Sequence, residues 1–262
     1  MPKVTAITSV YQSERYLQGY LKNITKQKFK DFEIVMEINN ASYLELKYLR
    51  KFRKKNNLIK LLVSSELNSM SKSWNNCINN SNSEYICIWN VDDQRTPISI
   101  ESMANTLDKN KDIDIVYGHY HKVKKFKSKR GNLVDVSNQE HLLKIGMLLG
   151  PFFMFRREIL KSSGLFDEQL LSGADYDFAL RILNFGNSKY IKENLGYFLD
   201  EGMGASTKPN SKQEIERTVI ELRHNIRILN KSLVNDAKSL YDISSIYFNE
   251  SKHSIKKFIP ND

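Results

Sequence analysis

Short apolar segments alternate with amphipathic ones through the first half of the chain, and this alternation limits the fold more than any other feature. Val4 to Thr8, Phe32 to Met36, Ile59 to Val63 and Tyr85 to Trp89 are strand-like runs. Between them Leu17, Tyr20, Leu21 and Ile24, then Leu46, Leu49 and Phe52, then Met70, Trp74, Cys77 and Ile78 recur at helical spacing. A repeat of roughly 25–30 residues is that of βαβ units, which implies a mainly parallel, Rossmann-like sheet with helices on both faces. The 262 residues suffice for one such α/β domain with a helical appendix.

The fourth strand runs through Trp89-Asn90-Val91 into two adjacent carboxylates, Asp92 and Asp93. Carboxylates at the end of a buried strand are costly unless a cation meets them. In an open α/β sheet that end is where ligands bind. A hard divalent cation carrying substrate phosphates, Mn²⁺ or Mg²⁺, suits such a pair. A surface turn capped by Asp is the plainer alternative. Thr96 and Pro97 then have the form of an N-cap and first helical residue.

Beyond this point the pattern loosens. Ile100, Met103 and Leu107 mark a helix, and Ile113 to Tyr117 a strand. Residues 119–140 are polar and basic, so irregular structure is expected, and Leu142 to Leu149 is apolar. Phe152 to Phe155 reads as a strand, Arg157 to Ser162 as a short helix ended by Gly164, and Asp175 to Phe185 as a helix. Near residue 205 the character changes. Ser211-Lys212-Gln213-Glu214 has capping-box form, and Ile215, Val219, Leu222, Ile226 and Leu229 follow at helical spacing. A second helix is expected between Asn235 and Phe248. The expected division is a domain over 1–205 and a helical C-terminal extension over 206–262.

The net charge is +10, and its local concentration is Lys122, Lys124, Lys125, Lys127, Lys129 and Arg130, ahead of a Gly131-Asn132 turn. A solvated hairpin accounts for this run. Contact with an anionic acceptor or a membrane surface is the alternative. Nucleic acid is not an expected partner, because no nucleic-acid motif accompanies the charge. The two cysteines, Cys77 and Cys87, fit core positions rather than a disulfide framework or a zinc site. No apolar run approaches a membrane span, and Met1-Pro2-Lys3-Val4 leads straight into a strand. A cytoplasmic setting, with peripheral membrane association left open, is the expectation. No glycine-rich dinucleotide turn and no P-loop follows the first strand, so a nucleotide has to be gripped by other means.

Several segments together resemble one family. Thr8-Ser9-Val10-Tyr11-Gln12 with Tyr16-Leu17, Asp31 to Val35 with Asn39-Asn40-Ala41-Ser42, and Trp74 to Ile78 with Glu84-Tyr85-Ile86 look like the donor half of the family 2 glycosyltransferases. Asn90-Val91-Asp92-Asp93 sits where that family carries its D-x-D element. Gly150 to Arg157, Gly164 to Glu168, and Gly173 to Phe178 with Arg181 are similar to its acceptor half. The resemblance runs in order from about residue 3 to 205 and rests on that order, no single element being specific.

The resemblance implies a GT-A fold, a nucleotide-diphospho-sugar donor, a divalent cation and inversion at the anomeric carbon. It implies that Asp92 and Asp93 hold the metal and that Ser9, Tyr11, Asn39, Asn40, Asn90 and Asp92 line the donor. It makes Asp175 the catalytic base, for which a helix cap is the alternative, with Asp177 a structural partner of Arg181. The acceptor is expected to be a glycan, a lipid-linked precursor or a protein. Asn90 and Asn39 depart from the family's aspartates and bring hydrogen-bonding capacity without charge. Uracil is the expected base, with guanine and thymine as the alternatives, and Glu37 comes into play if the loop shifts by one residue. Lys72 and Arg156 are weaker candidates for phosphate or acceptor contacts, and His121, His141 and His224 carry no ligand spacing. Glu201 to Thr207, with two glycines, has the composition of a loop over the site or of a plain linker. A non-catalytic sugar-nucleotide or glycan-binding domain and a sugar nucleotidyltransferase are the rival readings. The helix over Ile215 to Leu229 either covers the sheet or forms a homodimer seam.

Overall fold

The computed structural model describes residues 1–137, 146, 149–202, 204 and 212–243. The expected alternation forms as β1 (Val4–Val10), α1 (Glu14–Thr25), β2 (Phe32–Asn39), α2 (Tyr43–Arg53), β3 (Ile59–Ser64), α3 (Met70–Asn79) and β4 (Tyr85–Ile88). These four strands are parallel in the order β3-β2-β1-β4. Ser42 and Glu45 close a complete capping box on α2, and Ser69 caps α3.

The second half adds β5 (Gln94–Arg95), α4 (Ser99–Lys109), β6 (Ile115–Val123), β7 (Asn132–Val134), β8 (Phe153–Arg156), α5 (Leu160–Ser163), α6 (Ala174–Leu183), β9 (Ser188–Leu199), α7 (Gln213–Arg223) and α8 (Val234–Leu240). The sheet continues from β4 through β8, β6 and β9 to β5, with β7 on β6. Strand β8 runs antiparallel to β4 and β6, while β9 is parallel to β6. Side-chain alternation splits the core. Ile7, Val35, Ile86 and Ile88 face α3, α6 and α7, whereas Val4, Ala6, Ile34, Met36 and Cys87 face α1, α2 and α4. Both cysteines are free and buried. Among the described residues no helix is long and apolar enough to cross a membrane.

Several expectations are corrected. Thr96 and Pro97 do not open a helix. The Thr96 N–H and hydroxyl donate to the Leu195 and Asn194 carbonyls of β9, and α4 starts only at Ser99. Residues 119–134 are not irregular throughout, since β6 extends to Val123 and pairs with β7, leaving 124–131 as the irregular connection. Strand β9 had no sequence expectation. Helix α7 is entered through Lys212 without a side-chain cap, Ser211 lying outside the described residues. It stops at Arg223 because Asn225 takes a left-handed backbone (φ 48°), so Ile226 and Leu229 are not helical. The second C-terminal helix is Val234–Leu240, and its expected continuation to Phe248 lies largely outside the described residues.

The C-terminal helices belong to the core. Val219, Ile220, Ala237 and Tyr241 join the same buried cluster as Ile7 and Phe178. A buried ion network ties α7 to α6. Asp177 accepts from Arg181 Nε (2.9 Å) and from His224 Nε2 (3.0 Å), with Arg223 Nη1 at 3.9 Å, and Arg223 also pairs with Asp167. Burial alone would push the Asp177 carboxyl up. Arg181, followed by His224 and Arg223, outweighs burial and holds it below the usual aspartate range. A depressed native value stabilises the fold above the unfolded-state pKa, and that contribution is lost as pH falls toward the native value. Asp177→Ala leaves the buried Arg181 guanidinium without its carboxylate and Arg223 with Asp167 as its remaining one, so urea unfolding at neutral pH is expected to show a loss of roughly 3–5 kcal/mol. A loss below about 1 kcal/mol would show that the network does not hold α6 to α7.

Candidate active site

Strand register assembles the first half of the site. Ser9 lies opposite Glu37 and Val10 opposite Ile38, while Ile7 pairs with Ile88, so β1, β2 and β4 end at one edge. Beyond β4 the chain turns sharply, closed by Asp93 N–H to the Asn90 carbonyl (3.2 Å). The Trp89 indole N–H donates to the Asp93 carbonyl (3.3 Å). The two carboxylates then diverge. Asp93 is 2% exposed and its Oδ1 accepts from Leu199 N–H (3.3 Å). Burial, then the Asp92 charge, pushes its carboxyl well above the usual range. Asp92 is half-buried and meets no cation among the described residues, and burial followed by Glu201 raises its pKa. Nearby Arg95 is held by the Ile88 carbonyl (2.7 Å) and Ser99 Oγ (2.9 Å).

The other residues expected to line the donor fall on the same edge with unequal access. Tyr11 is 41% exposed, Ser9 and Asn90 are half-buried, and Asn40 is exposed with a left-handed backbone (φ 46°). Asn39 is 1% exposed and its amide is committed, donating to Ser73 Oγ (3.0 Å) and accepting from Asn68 N–H (3.1 Å). As placed, Asn39 braces the loop after β3. Glu37 is buried beside it and accepts from Asn68 Nδ2 (2.6 Å). Lys72 is exposed on the first turn of α3.

One of the weaker expectations is corrected. Arg156 pairs with Tyr85 at the opposite end of β4, and its guanidinium caps the Leu107, Asn110 and Ile113 carbonyls, so it supports the scaffold. His224 is part of the ion network on Asp177. His121 rests against Tyr197, and His141 lies outside the described residues.

The second half of the site is the N-terminal end of α6. Ser71 donates to the Leu170 carbonyl (2.9 Å), and Asn75 exchanges hydrogen bonds with Phe166 (2.9 and 3.0 Å). This seats the loop before α6 against the first turns of α3, at the edge where β1, β2 and β4 end. Gly173 is the N-cap position and Asp175 follows two residues on, with no side-chain cap bond. Asp175 Oδ1 accepts from Tyr176 N–H (2.9 Å). Burial lifts its carboxyl to about 6, opposed by local backbone donors and assisted by Glu216. The Asp177–Arg181 pairing expected from their spacing is present.

A sequence model described as Glycosyl transferase family 2 matches residues 5–164. This chain belongs to glycosyl transferase family 2. An uncharacterized glycosyltransferase of Methanocaldococcus jannaschii is 24% identical over 192 residues, covering 70% of this chain and 65% of its own length. The poly(ribitol-phosphate) beta-N-acetylglucosaminyltransferase TarS of Staphylococcus aureus is 23% identical over 251 residues, 89% of this chain and 42% of that protein. The chain thus spans less than two thirds of the length of either relative. A structure of S. aureus TarS in complex with UDP-GlcNAc superposes with a TM-score of 0.69 at 19% identity, covering 91% of this chain and 71% of that one. The mannosyltransferase PcManGT from Pyrobaculum calidifontis, in complex with GDP-Man and Mn2+, gives 0.59 at 15% identity, covering 86% and 62%. These likenesses establish the expected GT-A fold.

Two features of this family 2 chain were not legible in the sequence. Glu201, just past β9, accepts from Arg15 Nη2 (2.7 Å) and from the Tyr16 hydroxyl, and its charge acts on Asp92. The rest of the expected loop to Thr207 lies largely outside the described residues. The basic run is also partly committed. Lys122 and Lys124 pair with Asp200 (3.0 and 2.6 Å), and Phe126 packs edge-on against Tyr16 (5.0 Å). Gly19 permits this docking, because a Cβ there would come within 2.5 Å of Lys127 and 2.7 Å of Phe126.

No group of three or more metal-ligating side chains gathers among the described residues. The hard-oxygen donor at Asp92, open on one side and without a cation, nonetheless suits Mg²⁺ or Mn²⁺, which take one or two carboxylates and complete their shell with phosphate oxygens.

The raised Asp175 value has a sign. A carboxyl with a native pKa of about 6 favours the fold when protonated and loses that contribution as pH rises through 6. Asp175→Asn is therefore expected to stabilise the fold above pH 6, on the order of 1–3 kcal/mol, and to change it little near pH 4. Urea unfolding at the two pH values checks this, and equal stability of both proteins at pH 8 would contradict it.

Proposed function

We infer that this chain moves one sugar, with inversion, from a nucleotide-diphospho-sugar to a hydroxyl of a glycan, lipid-linked or protein acceptor, using a divalent cation. The observation that carries this reading is a contrast among buried carboxylates. Among the described residues, Asp92 and Asp175 alone combine a raised pKa with partial exposure and no cationic partner, and we assign them to the donor and acceptor sides. Asp92 is the proposed metal ligand. Asp93, turned inward onto Leu199, is proposed to support it and to reach the metal only if the turn rearranges. Tyr11, Ser9 and Asn40 line the base and Asn90 offers its amide to the ribose, with Asn39 behind them. A UDP-linked donor is favoured by the likeness to TarS bound to UDP-GlcNAc. Metal use is favoured by the complex of PcManGT with Mn2+.

In the proposed reaction the acceptor hydroxyl oxygen attacks the anomeric carbon and the bond to the diphosphate breaks. Asp175 takes the hydroxyl proton, for which a value near 6 is well matched at neutral pH. The cation, when bound, neutralises charge growing on the departing diphosphate. A single base and a direct displacement give inversion. The free thiols of Cys77 and Cys87 accord with a reducing, cytoplasmic setting.

Nucleoside-diphosphate release from a panel of UDP-, GDP- and dTDP-sugars, with Mn²⁺, tests the reading. Release from a UDP-sugar is expected, abolished by EDTA and reduced about 100-fold or more in Asp92→Ala. Release indifferent to both would end the metal-based reading. Donor binding without release, across an acceptor panel as well, would favour a non-catalytic domain.

A further inference from the structure

We propose that Glu216, on the C-terminal helix α7, is a positioning residue that fixes the loop delivering Asp175; the proposal rests on Asp175 being the base.

Glu216 is 0% exposed and has no cationic partner among its hydrogen bonds. Its carboxylate instead accepts from five donors. Oε1 takes Leu171 N–H (2.9 Å) and the Tyr241 hydroxyl (3.1 Å). Oε2 takes Ser172 N–H (2.7 Å), Ser172 Oγ (2.9 Å) and Gly173 N–H (2.9 Å). Three successive backbone N–H groups at the entrance to a helix form an anion-binding concavity. Here the anion is supplied by a helix more than 40 residues downstream.

Two consequences follow for Asp175. The loop that delivers it is fixed at three consecutive residues by one rigid carboxylate. The approach is close, since a Cβ on Gly173 would lie 2.8 Å from Ile220 Cδ1 of α7. In addition, Asp175 accepts from its local backbone, and the Glu216 carboxylate acts on it as a second negative charge.

The charged neighbours are few. On α6 itself, Asp177 turns away onto Arg181, Arg223 and His224, and Tyr176 carries no charge at neutral pH. Ser71 and Asn75, which meet the loop from α3, are neutral. Among the described residues, Glu216 is the charged side chain from another element that acts on Asp175.

The test compares wild type, Glu216→Gln, Ser172→Ala and Asp175→Asn, using the donor that wild type turns over, with a melting curve for each variant. Glu216→Gln is expected to lower kcat by about 10- to 100-fold with donor KM unchanged. It is also expected to move the acid limb of the kcat–pH profile down by about half to one pH unit, because a like charge is removed. Ser172→Ala deletes one donor without unpairing a charge, and is expected to keep the fold and to lower kcat about three- to tenfold. A loss of melting temperature with an unmoved acid limb and kcat would mean that Glu216 is only structural, and would overturn the proposal while leaving Asp175 as the base. If Glu216→Gln does not fold, Ser172→Ala decides, and a wild-type kcat there overturns the proposal. Full activity in Asp175→Asn would overturn both the proposal and the reading beneath it.

Discussion

Every carboxylate taken out of water has to be met by something, and how each is met organises this molecule. Asp177 is met by two guanidiniums and an imidazole. Glu216 is met by five hydrogen-bond donors, and Asp93 by the Leu199 amide inside the sheet. Those arrangements are scaffold, Asp177 and Glu216 as satisfied buried carboxylates and Asp93 as one that burial pushes well above the usual range. Asp92 and Asp175 are left with raised values and an open side. The proposed reaction needs one carboxylate that welcomes a cation and one that welcomes a proton, and these two are the ones proposed for those roles.

The same constraint explains why the C-terminal helices cannot be treated as an accessory. Helix α7 contributes Glu216 to the loop before α6, and it contributes Arg223 and His224 to the ion network on its far side. Its apolar face, through Val219 and Ile220, completes the core beneath α6. The start of α6, with Asp175, is therefore held on two sides by a segment that lies beyond residue 164, the end of the family match. The basic hairpin between β6 and β7 is docked on α1 in a comparable way, so the charge of Lys122 and Lys124 belongs to Asp200.

What the sequence made legible was local. The βα alternation up to Asp92 is a matter of hydrophobic period, and each element of that half forms close to where its pattern lies. Strand β9 was invisible because Lys189, Lys192 and Glu193 interrupt any alternation, and its register with β6 shifts at Gly118 and His119. The false helix start at Thr96 has the same origin, because β9 captures the very groups that would have capped a helix. Asp92 and Asp93 were recognisable as a pair, but their divergence depends on the direction of one tight turn. Asn39 looked like a base contact, yet Ser73 and Asn68, far along the chain, occupy its amide. Glu216 carried no local signal at all, since the carboxylate and the loop it holds are some 40 residues apart, and only the packing of α7 brings them together.

The most direct test of this account is the location of the cation. Crystals grown with UDP and Mn²⁺ should give an anomalous difference peak against Asp92, at the open edge where β1 and β4 end, with Asp93 still hydrogen-bonded to Leu199. A manganese site that leaves Asp92 untouched, or none at all in crystals that hold UDP, would contradict the claim that the unmatched carboxylate marks the metal site.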